Sequence, residues 1–408
     1  MTVLDYRQSP RTGAGADTGS LGHWLGWAVY LAMSWTWCIG MFLPVLLVRD
    51  YGIWGWIAFA VPNVLGAAAM GWVLRRPESS RNMVAAHRPA MICFSAVTVA
   101  FQFFFAAWMF YPQDYSWMLP ATAVLAAVML IPASSAAKRV RFEHLIAIAV
   151  LLVSLACMFF VVKRTLRSVP SVLHAPVRPV ELLALAPVMA FGFLLCPYLD
   201  VTFHHARRHT SSERARLAFS IGFGVIFLVM IAFTVAYGPE LPFRHGSFVL
   251  GPARWALAAY LMVQLAFTVG VHVREATDRL KQSVWIGCAV LVTAACIGTG
   301  SFWLGDVAFV VDHRVASPSE MVYRLYMGFY GLVFPAYVWI CVVGSPERRP
   351  SKAAVGVFLV AIAVALPAFW MGFIQGRMLW LVPGLGVVLL AKLAVPRPGR
   401  SRETVGVE

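Results

Sequence analysis

Long apolar runs recur from one end of this chain to the other, and they decide what it can fold into. Each is long enough to cross the hydrocarbon core of a bilayer as a helix of about 20 residues. Lipid offers no hydrogen-bond partners, so a spanning segment must satisfy its own backbone as a helix or in a closed barrel. Composition agrees: 60% of the 408 residues are hydrophobic and only 12% are charged, about half the charge of a soluble domain. The chain reads as an all-α polytopic membrane protein.

Twelve spans are expected, at roughly 23–47, 53–74, 89–111, 117–136, 143–162, 180–206, 215–237, 252–273, 282–304, 321–344, 353–374 and 378–395. With a cytosolic amino terminus, 23 of the 33 Lys and Arg fall on the inner side, nine fall outside, and Arg324 lies within a span. That excess supports an even number of spans with both termini inside, as in a bacterial-type cytoplasmic membrane. The dissenting segment is the basic outer loop 163–179, "VKRTLRSVPSVLHAPVRP" at its heart. Residues 1–22 and 396–408 read as cytosolic tails, and no cleavable secretory signal is evident.

The formal net charge of +15 follows from basic inner loops and does not call for a nucleic-acid partner. The seven cysteines lie in apolar segments without a CxxC pair, so neither a disulfide framework nor a metal site is expected. The loops leave no room for a soluble catalytic domain, and no GxxxxGK[ST] phosphate loop is present. Any energy must come from an ion gradient or a separate subunit, no cofactor is expected, and the chain does not read as an enzyme.

Two spans interrupt themselves. The first contains "SWTWCIGMFLP", with Gly40 and Pro44, and the sixth contains "GFLLCPYLD", with Gly192, Pro197 and Asp200. Glycine weakens a helix, while proline removes a backbone bond and clashes with the preceding turn. Freed backbone groups are tolerated only against protein or a wet cavity. Interruptions at corresponding places of two halves point to a site near the bilayer midplane. Spans one and six head two five-span units, 23–162 and 180–345, which would be inverted relative to one another, with two further spans in 346–395. Gly and Pro are also common in membrane helices, and an ordinary kink is the other reading of Gly40 and Pro44.

The stretch "TWCIGMFLPVLLVRDYGIWGWIAFAVPNVLGAAAMGWVLRR" resembles the first two spans of sodium/solute symporters. The likeness covers about 40 residues, and the rest of the chain only by topology. It implies the LeuT-type fold of the amino acid–polyamine–cation superfamily, with alternating access around broken spans one and six. It also implies that spans three and eight face the breaks, which aims Gln102 and Gln264 at the site. Such symporters usually carry paired small hydroxyls in span eight; this span, "YLMVQLAFTVGVHVRE", has Thr268 alone, which puts sodium coupling in doubt.

Asp200 is the foremost functional candidate, because a carboxylate at membrane depth costs several kcal/mol unless it is paired, hydrated or protonated. It could carry a proton, bind a cation or pair with a structural base, and Thr268 is the other candidate for an ion. Candidate solute contacts are Trp37, Cys38, Gly40, Gln102, Phe191, Gly192, Phe193, Tyr198 and Gln264; Ser34, Trp35, Thr36, Asn63 and Phe101 are further cavity-lining candidates. The run "HHARRH" puts His205 and His209 at i, i+4, a metal-binding spacing. Arg207 and Arg208 oppose a dication, so the run, like His272 beside Arg274, reads as an interfacial basic patch that could hold lipid headgroups. Arg324 could snorkel to the interface or gate an outer vestibule by pairing with an acid.

The functional expectation is a secondary transporter of an amino acid or similar carboxylate, coupled to protons or sodium. A transporter-derived sensor or scaffold is the alternative, and a membrane-embedded lipid transferase is a third. No partner protein is indicated beyond solute and lipid.

Overall fold

The computed structural model describes residues 21–111, 115–132, 134–165, 178–238, 241, 243–244, 247–248, 253–278, 283–308 and 317–396. Residues 166–177, the core of the expected basic outer loop, lie outside them, as do most of both expected tails.

Among the described residues the chain is helical, apart from a short antiparallel ladder pairing Phe243 with Phe248 and Arg244 with Ser247. The helices are α1 (Leu21–Trp35), α2 (Cys38–Val73), α3 (Pro77–Phe110), α4 (Met118–Val128) and α5 (Ala136–Thr165). They continue with α6 (Pro179–Leu195), α7 (Val201–Arg208), α8 (Ser212–Tyr237), α9 (Arg254–Thr277) and α10 (Ser283–Ala308). Last come α11 (Pro318–Val342), α12 (Lys352–Ile374) and α13 (Met378–Ala394).

Every expected span falls on one of these stretches. Nine helical stretches among the described residues are long and apolar enough to cross a membrane, and α4 and α13 are shorter. Span one is α1 plus the first part of α2; span two is the rest of α2. The two meet at Gly52, whose φ of 64° lies in the left-handed region where a Cβ is penalised. That glycine makes the short turn of "RDYGIW" possible. Span six is α6, a tight 3-10 turn at Cys196–Leu199, and α7.

Small residues set how closely the spans approach. At Gly192 an added Cβ would sit 2.6 Å from the Tyr330 carbonyl oxygen, and at Gly66 and Gly298 it would strike the backbone of α6 and α3. Glycine at an interhelical contact lets backbones come together where lipid provides no hydrophobic drive. The buried core is rich in aromatic rings from α1, α2, α3, α7, α8 and α11, while spans five, nine and eleven turn much of their surface outward.

Candidate functional site

The break in span one lies at Thr36–Trp37, four residues before Gly40, so Gly40 and Pro44 sit inside helix α2. Trp37 is extended, with φ −112° and ψ −176°. Residue composition does not open this helix; contacts from other spans do. Helix α2 begins at Cys38, and the first N–H groups of a helix have no partner within it. The Cys38 N–H donates to Gln102 Oε1 of α3 at 3.2 Å, and the Trp35 indole N–H donates to Asn63 Oδ1 at 2.6 Å.

The break in span six lies where the sequence places it. Pro197 stands in the 3-10 turn, and Asp200 leaves helical geometry at φ −77°, ψ 111°. Asp200 caps α7: its Oδ1 accepts from the Thr202 N–H at 2.7 Å and from Thr202 Oγ1 at 2.6 Å. Carboxylates suit this position because they accept orphan N–H groups and face the positive end of the helix dipole.

The two breaks meet. Thr202 Oγ1, just after one, lies 3.1 Å from Ser34 Oγ, just before the other, and Trp35 packs on Phe203 with ring centroids 5.0 Å apart. Asp200 is fully buried, and its Oδ2 has no hydrogen-bond partner among the described residues. The nearest base is His272 of α9, whose Nε2 is 3.7 Å away while its Nδ1 lies 3.2 Å from Ser95 Oγ. Gln264, Thr268 and His272 follow one another at i, i+4 along α9 and form one stripe. Gln264 donates to Ser154 Oγ at 2.9 Å and lies 3.2 Å from Met33 Sδ, while its Oε1 and Thr268 Oγ1 are buried without partners among the described residues. The stripe thus holds two unpaired oxygens, and Asp200 Oδ2, beside its His272 end, is a third.

Span ten supplies residues that sequence reasoning missed. Tyr330 of α11 packs edge-on to Trp37 at 4.9 Å and lies 3.0 Å, oxygen to oxygen, from the Thr98 hydroxyl; Tyr323 donates to the Cys38 carbonyl at 3.3 Å. Phe101 stacks on Tyr326 at 4.7 Å. A narrow cleft runs from Asp50, Tyr51 and Arg324 inward to Gly192, Phe193 and Tyr330, with largely aliphatic and aromatic walls.

Of the predicted contacts, Trp37, Cys38 and Gln102 converge at the first break, Gly192 and Phe193 line the cleft, and Gln264 and Thr268 lie on the polar stripe. Gly40 packs toward Phe227 and Ile231 of α8, Phe191 packs on Trp339, and the Tyr198 carbonyl lies 3.0 Å from His204 Nε2. Arg324 pairs with buried Glu320 at 2.7 Å, which also binds Arg49 at 2.9 Å.

The expected interfacial patch is a buried ion-pair network instead. His204, His205 and Arg207 are at most 2% exposed, and His272 and Arg274 are buried too. Arg207 ends its donors on the Leu74, Arg75 and Thr210 carbonyls, which suits a cation at helix C-termini. His205 and Arg274 are satisfied by Glu143 and Glu275, acids from spans five and eight that hydropathy places at span edges.

No protein-family model matches the sequence, and no curated protein matches it. Solved structures do. An outward-open, substrate-bound Na+-coupled sialic acid symporter aligns over 94% of this chain and 92% of its own, at 12% identity and a TM-score of 0.52. An inward-facing conformation of Mhp1 aligns over 92% and 90%, at 12% identity and a TM-score of 0.51. At such identity the likeness speaks for the fold: this chain has the LeuT-type architecture that the resemblance of its first two spans implies.

Proposed function

We propose that this chain is a secondary transporter that moves a small organic solute by alternating access, with a proton on the Asp200–His272 pair as the coupling ion. One observation carries the reading: the broken spans one and six meet at their breaks, and a buried carboxylate with an oxygen unpaired among the described residues caps one of them. A buried carboxyl beside a histidine can exchange a proton when small movements change its surroundings.

The polar stripe offers the single hydroxyl Thr268 where sodium-coupled relatives of the resembled family carry a pair, which favours the proton. The structurally similar sialic acid symporter is Na+-coupled by description, so sodium is the competing ion. The cleft's apolar walls, with Arg324 and Asp50 among its lining residues, suit an apolar-bodied solute that bears a carboxylate, such as an amino acid. The same cleft lies along the second part of span one and the first part of span six. We place the amino terminus in the cytosol, so that this cleft faces outward. The protein acts as a carrier here, without a catalytic residue.

Uptake of labelled amino acids and carboxylates into proteoliposomes tests the coupling. A pH gradient, acid outside, is expected to drive accumulation in sodium-free buffer. Accumulation driven by sodium and indifferent to pH would overturn the proton assignment.

A further inference from the structure

At the end of the molecule opposite the cleft, Glu143 of α5, His205 of α7 and Glu275 of α9 form a buried triad. The Glu143 and Glu275 side chains are 1% and 2% exposed. His205 Nε2 lies 2.8 Å from Glu143 Oε2, and its Nδ1 lies 3.2 Å from Glu275 Oε1. A neutral imidazole has one donor and one acceptor nitrogen. Here both nitrogens face carboxylate oxygens, so a second proton is required within the triad.

We propose that Glu143, His205 and Glu275 together bind one proton beyond that of a neutral imidazole, and that this proton holds α1 closed over this end of the protein. The surroundings are charged on every side. Arg139 of α5 pairs with Glu143 at 2.9 Å and also with Glu275 and Asp278; Arg208 of α7 pairs with Glu275 at 3.0 Å. Arg274 of α9 lies 3.7 Å from Glu143, and Arg88 of α3 joins Arg208, Glu275 and Asp278 around a small cavity. From α1 come Tyr30, with its ring 5.9 Å from that of His205, and His23, whose Nε2 lies 3.0 Å from the His209 carbonyl oxygen. Arg139 occupies both carboxylates, which leaves a proton, rather than a divalent metal, as the ligand the triad can take.

The triad lies beneath α1. Trp27 of α1 is seated among His144, His205 and His209, with ring centroids 4.7, 5.2 and 5.5 Å away. A Cβ at Gly26 would strike the His144 ring, so α1 rests directly on α5, and His144 Nε2 is itself buried without a partner among the described residues. Burial, and then the charge of neighbouring His205, push His209 down to about 4, so the His209 ring stays neutral beside the triad. Loss of the proton puts a lone pair against a carboxylate at one of the two contacts, and the seat under α1 loosens. The sign follows: the end is held closed at low pH and released as pH rises through the triad's midpoint.

The opposite end supplies an internal control, because its Arg49–Glu320–Arg324 cluster contains no histidine. The proposal rests on alternating access only for the meaning of the motion, so failed transport and a failed lock are separate results. Hydrogen–deuterium exchange on the protein in lipid nanodiscs, corrected for the intrinsic pH dependence, reads it directly. Protection of residues 21–35 is expected to fall by up to about tenfold per pH unit, the limiting slope for one proton, between the midpoint of the open state and that of the closed triad, and to level off above it, while residues 318–342 stay protected. His205→Gln should leave 21–35 weakly protected at every pH, and His205→Lys, which keeps a cation, should preserve protection into alkaline buffer. Wild-type protection that ignores pH overturns the proposal without any variant, and so does His205→Gln with an unchanged profile.

Discussion

The two broken helices are built by different means. Span six breaks itself: Pro197 interrupts the backbone, and Asp200, three residues on, caps the helix that follows. Span one is broken from outside, at Thr36–Trp37, where Gln102 of α3 takes the first N–H of α2 and Asn63 holds Trp35. One break is written in its own residues, and the other in its neighbours. The glycines that mark them differ accordingly. Gly192 touches the Tyr330 backbone, whereas a Cβ at Gly40 would meet Phe227 at an ordinary 3.4 Å.

That difference sets an order of effects. Asp200→Asn is the largest for function: asparagine caps a helix about as well as aspartate, so folding is preserved while solute uptake falls to the level of empty liposomes or loses its pH dependence. Unaltered uptake with an unaltered pH profile would remove Asp200 from coupling and leave it a structural cap. Gly192→Ala is next, because its Cβ has no room against the Tyr330 carbonyl; thermal unfolding in detergent should show a loss of about 1–3 kcal/mol.

Gln102→Leu leaves the Cys38 N–H buried without its acceptor, a cost of about 1–3 kcal/mol. It should also loosen the first break while sparing the second. Gly40→Ala is the smallest, a neutral change or a gain of up to about 1 kcal/mol, since it replaces glycine within a helix and fits its surroundings. Reversal of the two glycine effects would mean that span one breaks at Gly40 after all.

The same contrast explains what the sequence makes legible. Twelve segments, the break at Pro197 and the burial of Asp200 follow from hydropathy and from the chemistry of proline and carboxylate, which are local. The position of the first break is not local: nothing in "SWTWCIG" demands an opening at Thr36–Trp37, and the amide that stabilises it is 64 residues away. Tyr330 and Tyr323 do not stand out among twelve tyrosines; only the packing of α11 against α2 singles them out. The run "HHARRH" misleads for a related reason. Basic residues beside a span usually face the interface, but here acids from spans five and eight cover His205 and Arg208, and helix-end carbonyls cover Arg207.

Each break carries a native cysteine, Cys38 on one and Cys196 on the other, and both are buried. With the other five cysteines replaced by alanine, a membrane-impermeant thiol reagent applied separately to the two faces of proteoliposomes tests whether the breaks share one path. Both cysteines should react from either face as the protein cycles, and a transported solute should slow both reactions together. Labelling confined to one face, or a solute that shields one cysteine and leaves the other unchanged, would contradict a single alternating site.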